Sequence, residues 1–192
     1  MEISYKRLKL HVPDDVYPPA EDSFLLAGAA CREGDVLEVG CGCGIVSLSW
    51  AAKNNVTGVD INPSAVKASM ENASRNGVEA SFRESDLFSN VSGKFDAILF
   101  NPPYLPTSGE EKLEGNLNKA YDGGKDGRET LERFLSEFFD YLKEGGKLYL
   151  IQSSLNNTES TVARLRHLGF EVEEIGRHEF FFEKLVLLKA SR

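Results

Sequence analysis

Asn101-Pro102-Pro103-Tyr104 is the stretch of this chain whose residue types and order most directly suggest chemistry. Two successive prolines hold two φ angles near −65° and remove two backbone donors, so the loop offers carbonyl acceptors with little freedom to rearrange. A primary amide or an exocyclic amine carries two N–H donors; the Asn101 side-chain oxygen and the Pro102 carbonyl would take one each. Held so, the nitrogen has its lone pair drawn out of conjugation and aimed at an electrophile, and catalysis is mainly a matter of positioning. Tyr104 supplies a flat ring against which a planar group can lie.

A second constellation lies upstream. Glu38-Val39-Gly40-Cys41-Gly42-Cys43-Gly44 has glycines spaced G-x-G-x-G where a strand would turn into a helix, and Ile45 stands where a dinucleotide fingerprint has its third glycine. Glu38 beside the turn would repel a pyrophosphate and attract the ammonium and sulfonium of S-adenosylmethionine. Asp60, 20 positions after Gly40, is placed to accept ribose hydroxyls, and Ile61 follows it. Asp86 and Leu87 come just past the next strand, in the same line of strand ends.

Elements able to position these groups alternate along the chain. Strands are expected over 35–40, 56–59, 80–83, 95–100 and 147–151, with helices over 45–53, 63–76, 128–142 and 158–168. Two closing strands, 170–175 and 185–188, are joined by a link too short for a helical crossover and should pair antiparallel. The fold class is therefore α/β, mostly parallel with a terminal antiparallel hairpin and helices on both faces, an arrangement that resembles the Rossmann-like seven-stranded sheet of methyltransferases. Residues 105–127 form a long irregular stretch of the kind that serves as a lid loop.

The 192 residues, 41% hydrophobic and 27% charged, suit a single domain that buries roughly 70% of its unfolded surface. A formal net charge of −8 disfavours partners gripped by their phosphate backbone. The basic cluster Lys6-Arg7-Leu8-Lys9 reads as a solvated strand face. Cys31, Cys41 and Cys43 lack the ligand set of a structural zinc site and read as reduced thiols, with no metal expected. No apolar run is long enough for a membrane span, and Met1 is followed by Glu-Ile-Ser-Tyr-Lys, so a cytoplasmic protein is expected.

Asn-Pro-Pro-Tyr after the fourth expected strand resembles the signature of amino-methyltransferases, which act on DNA bases, rRNA guanines or protein glutamines. The segment Val16-Tyr17-Pro18-Pro19-Ala20-Glu21-Asp22-Ser23-Phe24-Leu25-Leu26 is similar to the pre-strand segment of the short archaeal and eukaryotic branch of the HemK-like glutamine methyltransferases. Tyr121-Asp122-Gly123-Gly124-Lys125-Asp126-Gly127-Arg128 resembles that branch's Gly-Gly insertion. The resemblance spans about residues 17–151. It implies an S-adenosylmethionine-dependent enzyme, releasing S-adenosylhomocysteine, that methylates the glutamine of a release factor's Gly-Gly-Gln motif.

It further implies cofactor contacts at Ser23, Glu38, Gly40, Asp60, Asp86, Leu87 and Asn101, with Asp86 and Leu87 on the adenine; Pro19, Glu21, Cys41, Gly42, Cys43, Gly44 and Ile61, in the same segments, are expected to complete the cofactor site, with residues 1–30 contributing to it. Substrate contacts fall on Asn101 through Tyr104. The long bacterial relatives have an N-terminal helical domain that is not expected here; members of the short branch work with a small zinc-binding activator subunit, which is expected here near 80–83. The rival acceptors are a DNA or RNA exocyclic amine and a protein lysine.

Overall fold

The computed structural model describes residues 1–105 and 123–192. A hairpin of β1 (Glu2–Tyr5) and β2 (Leu8–His11) opens the chain, followed by α1 (Glu21–Gly28). Then come β3 (Asp35–Val39), α2 (Ile45–Ala51), β4 (Asn55–Asp60), α3 (Pro63–Asn76), β5 (Ser81–Glu84) and β6 (Phe95–Phe100). The remainder is α4 (Glu129–Glu137), a 3-10 turn (Phe138–Tyr141), β7 (Leu142–Ser153), a second 3-10 turn (Ser154–Asn156), α5 (Thr158–His167), β8 (Glu171–Glu179) and β9 (Lys184–Ser191). Among the described residues no helix is long and apolar enough to cross a membrane.

The main sheet has seven strands in the order β5-β4-β3-β6-β7-β9-β8. Five are parallel, and β9 runs antiparallel to both β7 and β8. The expected methyltransferase-type sheet with its closing hairpin is therefore present. Alternate residues of the same strands feed two separate cores, as a strand covered on both faces requires. Val36, Val56, Ala97, Leu99 and Ile151 pack with Leu26, Leu48 and Trp50 of α1 and α2. Leu37, Val59, Ile98, Phe100 and Leu150 pack with Leu131, Phe134 and Leu165 of α4 and α5.

Local signals explain most boundaries. Asn62 caps α3 by accepting the Ser64 N–H at 3.0 Å, Pro63 opens it, and Gly77 closes it in the left-handed region. The helix expected to run to 142 gives way earlier: α4 stops at Glu137, and Leu142 already pairs with Phe95. Gly145-Gly146, read as a helix stop, instead sits inside β7 at a register shift, with Gly145 at φ +72. Sheet pairing with β6 and burial of Phe138 outweigh the helical pattern of that stretch. The Lys6–Lys9 cluster spans the turn of the β1–β2 hairpin and the start of β2, with Leu8 and Leu10 buried and Lys9 exposed.

Candidate active site

A cavity of about 820 Å³ opens at the C-terminal ends of the parallel strands, the edge where open α/β sheets bind ligands. Asn101 to Tyr104 leave β6 there and line it. Asn101 Oδ1 is buried and, among the described residues, accepts no hydrogen bond. Such an atom loses its water without compensation, at a cost of about 1–3 kcal/mol. An incoming donor would relieve that cost.

The rest of the tetrad is fastened from two sides. Asn156 Nδ2 donates to the Tyr104 carbonyl at 2.8 Å and to the Gly127 carbonyl at 2.7 Å. The Tyr104 hydroxyl donates to Asp22 Oδ2 at 3.4 Å, as does that of Tyr17 at 3.0 Å, while Ser23 donates its backbone N–H to Asp22 Oδ1 at 2.5 Å and its hydroxyl at 3.1 Å. Burial, reinforced by the charges of Asp22 and Glu183, pushes the Tyr104 phenol above its ordinary range, so the ring stays neutral. Asp22 is itself almost wholly buried. Sequence reasoning gave it no role; its signal was the tyrosine five residues earlier, but nothing local indicated a tie to Tyr104.

The glycine turn connects β3 to α2 and spends four of its donors, those of Gly40, Cys41, Gly42 and Gly44, inside the protein. Gly40 and Cys41 donate to the Val59 carbonyl at 2.8 and 2.9 Å, Gly44 to the Cys41 carbonyl at 2.8 Å, and Gly42 to Asp60 Oδ2 at 2.9 Å. A phosphate cradle needs such N–H groups directed at its ligand. Here they are spent on the fold. Gly44, at φ +85, does not line the cavity; an added Cβ would lie 3.2 Å from the Ser69 Cβ, so this glycine permits the approach of α3.

The carboxylates set the electrostatics. Five acids, Asp22, Glu38, Asp60, Asp86 and Glu129, line the cavity among the described residues, against the two cations Lys125 and Arg133. Asp60 binds the turn through Oδ2 and accepts the Asn62 N–H through Oδ1 at 2.8 Å. Asp86 is half-exposed and paired with Arg133 at 3.0 Å. Glu38 is buried, accepts the Ser47 hydroxyl, and has its pKa pushed up to about 8, by desolvation first and then by the charge of Asp60. Burial likewise raises Cys41 well above the usual thiol value and Cys43 to about 12, so both remain neutral thiols.

Pro19, Ser23, Gly40, Cys41, Gly42, Cys43, Ile61 and Leu87 also line the cavity. Glu21 does not: it is exposed at the start of α1, and its neighbour Asp22 faces inward instead. Leu87 adopts φ +46, rare for a side chain with bulk, and its carbonyl accepts the Ser85 hydroxyl at 2.8 Å. Ser85, Val16, Tyr17 and Asn62 are wall residues with no role in the sequence reading. Of the stretch 105–127 expected to act as a lid, 106–122 lie outside the described residues; its flanks meet at the cavity, where Gly123 donates to the Leu105 carbonyl at 3.0 Å.

Residues 23–116 match the Methyltransferase small domain family. A Methanocaldococcus jannaschii protein that carries the name protein N5-glutamine methyltransferase is 52% identical over 100% of this chain and 98% of its own. The eRF1 methyltransferase catalytic subunit mtq2 of Schizosaccharomyces pombe is 31% identical over 97% of this chain and 93% of its own. Among solved structures, the E. cuniculi Mtq2–Trm112 complex, described as responsible for methylation of the eRF1 termination factor, superposes with a TM-score of 0.74 at 24% identity, covering 93% of this chain and 99% of that one, and speaks for the fold. With a seven-stranded methyltransferase sheet, an Asn-Pro-Pro-Tyr loop on its cavity wall and a relative matched from end to end, the chain belongs to the HemK-like family of protein N5-glutamine methyltransferases.

Proposed function

We propose that this chain, working as one domain, methylates the side-chain amide of the glutamine in the Gly-Gly-Gln motif of a translation release factor, with S-adenosylmethionine as methyl donor. The observation that carries the reading is the buried, unpartnered Asn101 Oδ1 on the wall of a cavity rich in carboxylates. The cavity is of a size for a small-molecule cofactor. Its acidic lining, and a glycine turn whose Gly40, Cys41, Gly42 and Gly44 N–H groups bond within the protein, suit a cationic ligand and would oppose a pyrophosphate. Bound S-adenosylmethionine supplies an electrophilic methyl on a sulfonium and leaves as S-adenosylhomocysteine.

The residues of the chain do the rest. Glu38 would face the positive charge of the bound cofactor, Asp60 would accept from its ribose hydroxyls, and Leu87 with Asp86 would border its adenine; Pro19 and Ser23 line the side of the cavity formed by the N-terminal segment. Asn101 Oδ1 and the Pro102 carbonyl each accept one N–H of the glutamine amide, drawing the nitrogen lone pair toward the methyl group. Pro103 keeps that loop stiff, and the Tyr104 ring, braced by Asp22, gives the planar amide a wall. The bound cofactor would supply the methyl group, its C–S bond breaking as the C–N bond forms, and the alkylated nitrogen would pass its proton to water without needing a strong base. Arranging reactants this way is worth up to roughly 7–11 kcal/mol in well-oriented systems.

The fission-yeast relative is named a catalytic subunit, and the structural neighbour was solved as a two-protein complex. By that likeness we assign this chain a small zinc-binding activator subunit, seated along β5, the outermost strand at one edge of the sheet. Its site of action is then the cytoplasm, where translation terminates. The test is mass spectrometry of the release factor's Gly-Gly-Gln segment after incubation with enzyme, activator and cofactor, with tRNA, rRNA and duplex DNA as parallel acceptors. One added methyl on the glutamine is expected; labelling confined to nucleic acid or to lysine would overturn the proposal.

A further inference from the structure

The tetrad shares its end of the sheet with a second feature that the chemistry does not use. Because β9 is antiparallel to both β7 and β8, β8 runs in the direction of β6, and the β8–β9 turn emerges where Asn101 does. A short chain of contacts joins the two. The Lys184 N–H donates to Ser154 Oγ at 3.0 Å, and two residues on, Asn156 holds the Tyr104 carbonyl.

That turn carries Phe180-Phe181-Phe182-Glu183. Phe181 is 92% exposed and Phe182 85% exposed, their rings edge to face at 4.5 Å. The Phe180 N–H donates to the Glu183 carbonyl at 2.7 Å, so the rings stand on a closed hairpin turn. Leu155 and Leu105, both exposed, flank the same region in the chain, the first between Ser154 and Asn156 and the second directly after Tyr104. Exposed aromatics gathered in this way mark an interaction site more often than a fold requirement. Glu183 Oε1 is buried without a donor among the described residues, and the Glu183 charge contributes to the raised pKa of Tyr104.

We propose that the Phe180–Glu183 turn docks the acceptor protein beside the tetrad, with Phe181 and Phe182 seated against apolar side chains flanking the glutamine-bearing segment and Glu183 accepting a backbone N–H of that segment. This rests on the reading that the acceptor is a polypeptide. Bare aromatic rings also stack on nucleic-acid bases. Glu179 and Glu183 bracket these rings, however, and would repel the phosphates that such a partner brings. A protein surface has no such cost.

The double variant Phe181→Ser/Phe182→Ser removes side chains that are almost wholly in water and leaves the fold intact, which its melting temperature verifies. With intact release factor, activator and cofactor, KM for the release factor should rise by about tenfold or more, as loss of exposed aromatic anchors does. kcat should stay within about twofold and cofactor affinity should not change. A photo-crosslinker at position 181 should capture release-factor peptides adjoining the glutamine. An unchanged KM, or crosslinks only to the activator or to a second copy of this chain, would overturn the proposal. Failure of the unaltered enzyme to label the release factor at all would instead sink the reading on which it rests.

Discussion

Glu38 makes the cofactor site sensitive to pH in a direction that follows from its surroundings. Its pKa lies near 8 in the ligand-free protein because burial penalises the carboxylate and Asp60 adds negative charge nearby, against the opposing hydrogen bond from Ser47. Below pH 8 the group is mostly protonated, and a cationic ligand binds best to the ionised form, so binding releases a proton. Affinity should therefore tighten up to tenfold per pH unit, or about 1.4 kcal/mol, as pH rises toward 8. Cys41 and Cys43 stay neutral throughout this window and contribute nothing.

An α-amino group titrates at roughly 7.7–8.0 in model peptides, so keeping to about pH 5.5–7.5 holds the ligand's ammonium charged, and across that range the expected change approaches ~100-fold, or ~2.7 kcal/mol. Isothermal titration in buffers of different ionisation heat would read both the affinity and the proton released. Glu38→Gln should flatten the profile. A wild-type affinity that is constant across the window, weakens as pH rises, or keeps its slope in the Gln variant would refute the reasoning. The same group acts on the ligand-free fold. Its pKa is raised on folding from 4.5 to about 8, so its stabilising contribution is complete below about 4.5 and is lost as pH climbs through 8.

Asn101→Ala should lower kcat by about a hundredfold, the usual cost of removing one oriented polar group, while cofactor affinity by titration stays within a few-fold. Asp22→Ala leaves the Tyr17 and Tyr104 hydroxyls without their shared acceptor; turnover should drop by about tenfold, and denaturant unfolding should show a loss of about 1–3 kcal/mol. Gly44→Ala places a Cβ at φ +85 within 2.9 Å of Ser69 Oγ. It should destabilise the protein by more than ~1 kcal/mol in the same assay.

The parts of this molecule that sequence reveals are those governed by local rules. The apolar run of β6 is continuous because both faces of that strand are covered, and the Asn62-Pro63 start and Gly77 stop of α3 are backbone chemistry readable in one dimension. The G-x-G-x-G turn and Asp60 likewise keep their spacing in space. What escaped depends on contacts distant in the chain. Asp22, rather than Glu21, faces the cavity because of where α1 packs, and its bond to Tyr104 spans 82 positions. Asn156 reaches Tyr104 across 52. Gly44 serves packing against Ser69, which a glycine motif alone does not disclose. Gly145-Gly146 could stop a helix or bend a strand, and only the pairing of Leu142 with Phe95 decides between them.

A crystal structure of the chain with S-adenosylhomocysteine and a Gly-Gly-Gln peptide tests the central claim most directly. Asn101 Oδ1 should lie within hydrogen-bonding distance of the glutamine amide nitrogen, with that nitrogen in line with the product sulfur and the sulfur over the Gly40–Gly42 turn. The account is contradicted if the ligand lies away from that turn, or if the Asn101 side chain faces elsewhere with the glutamine amide held by other groups.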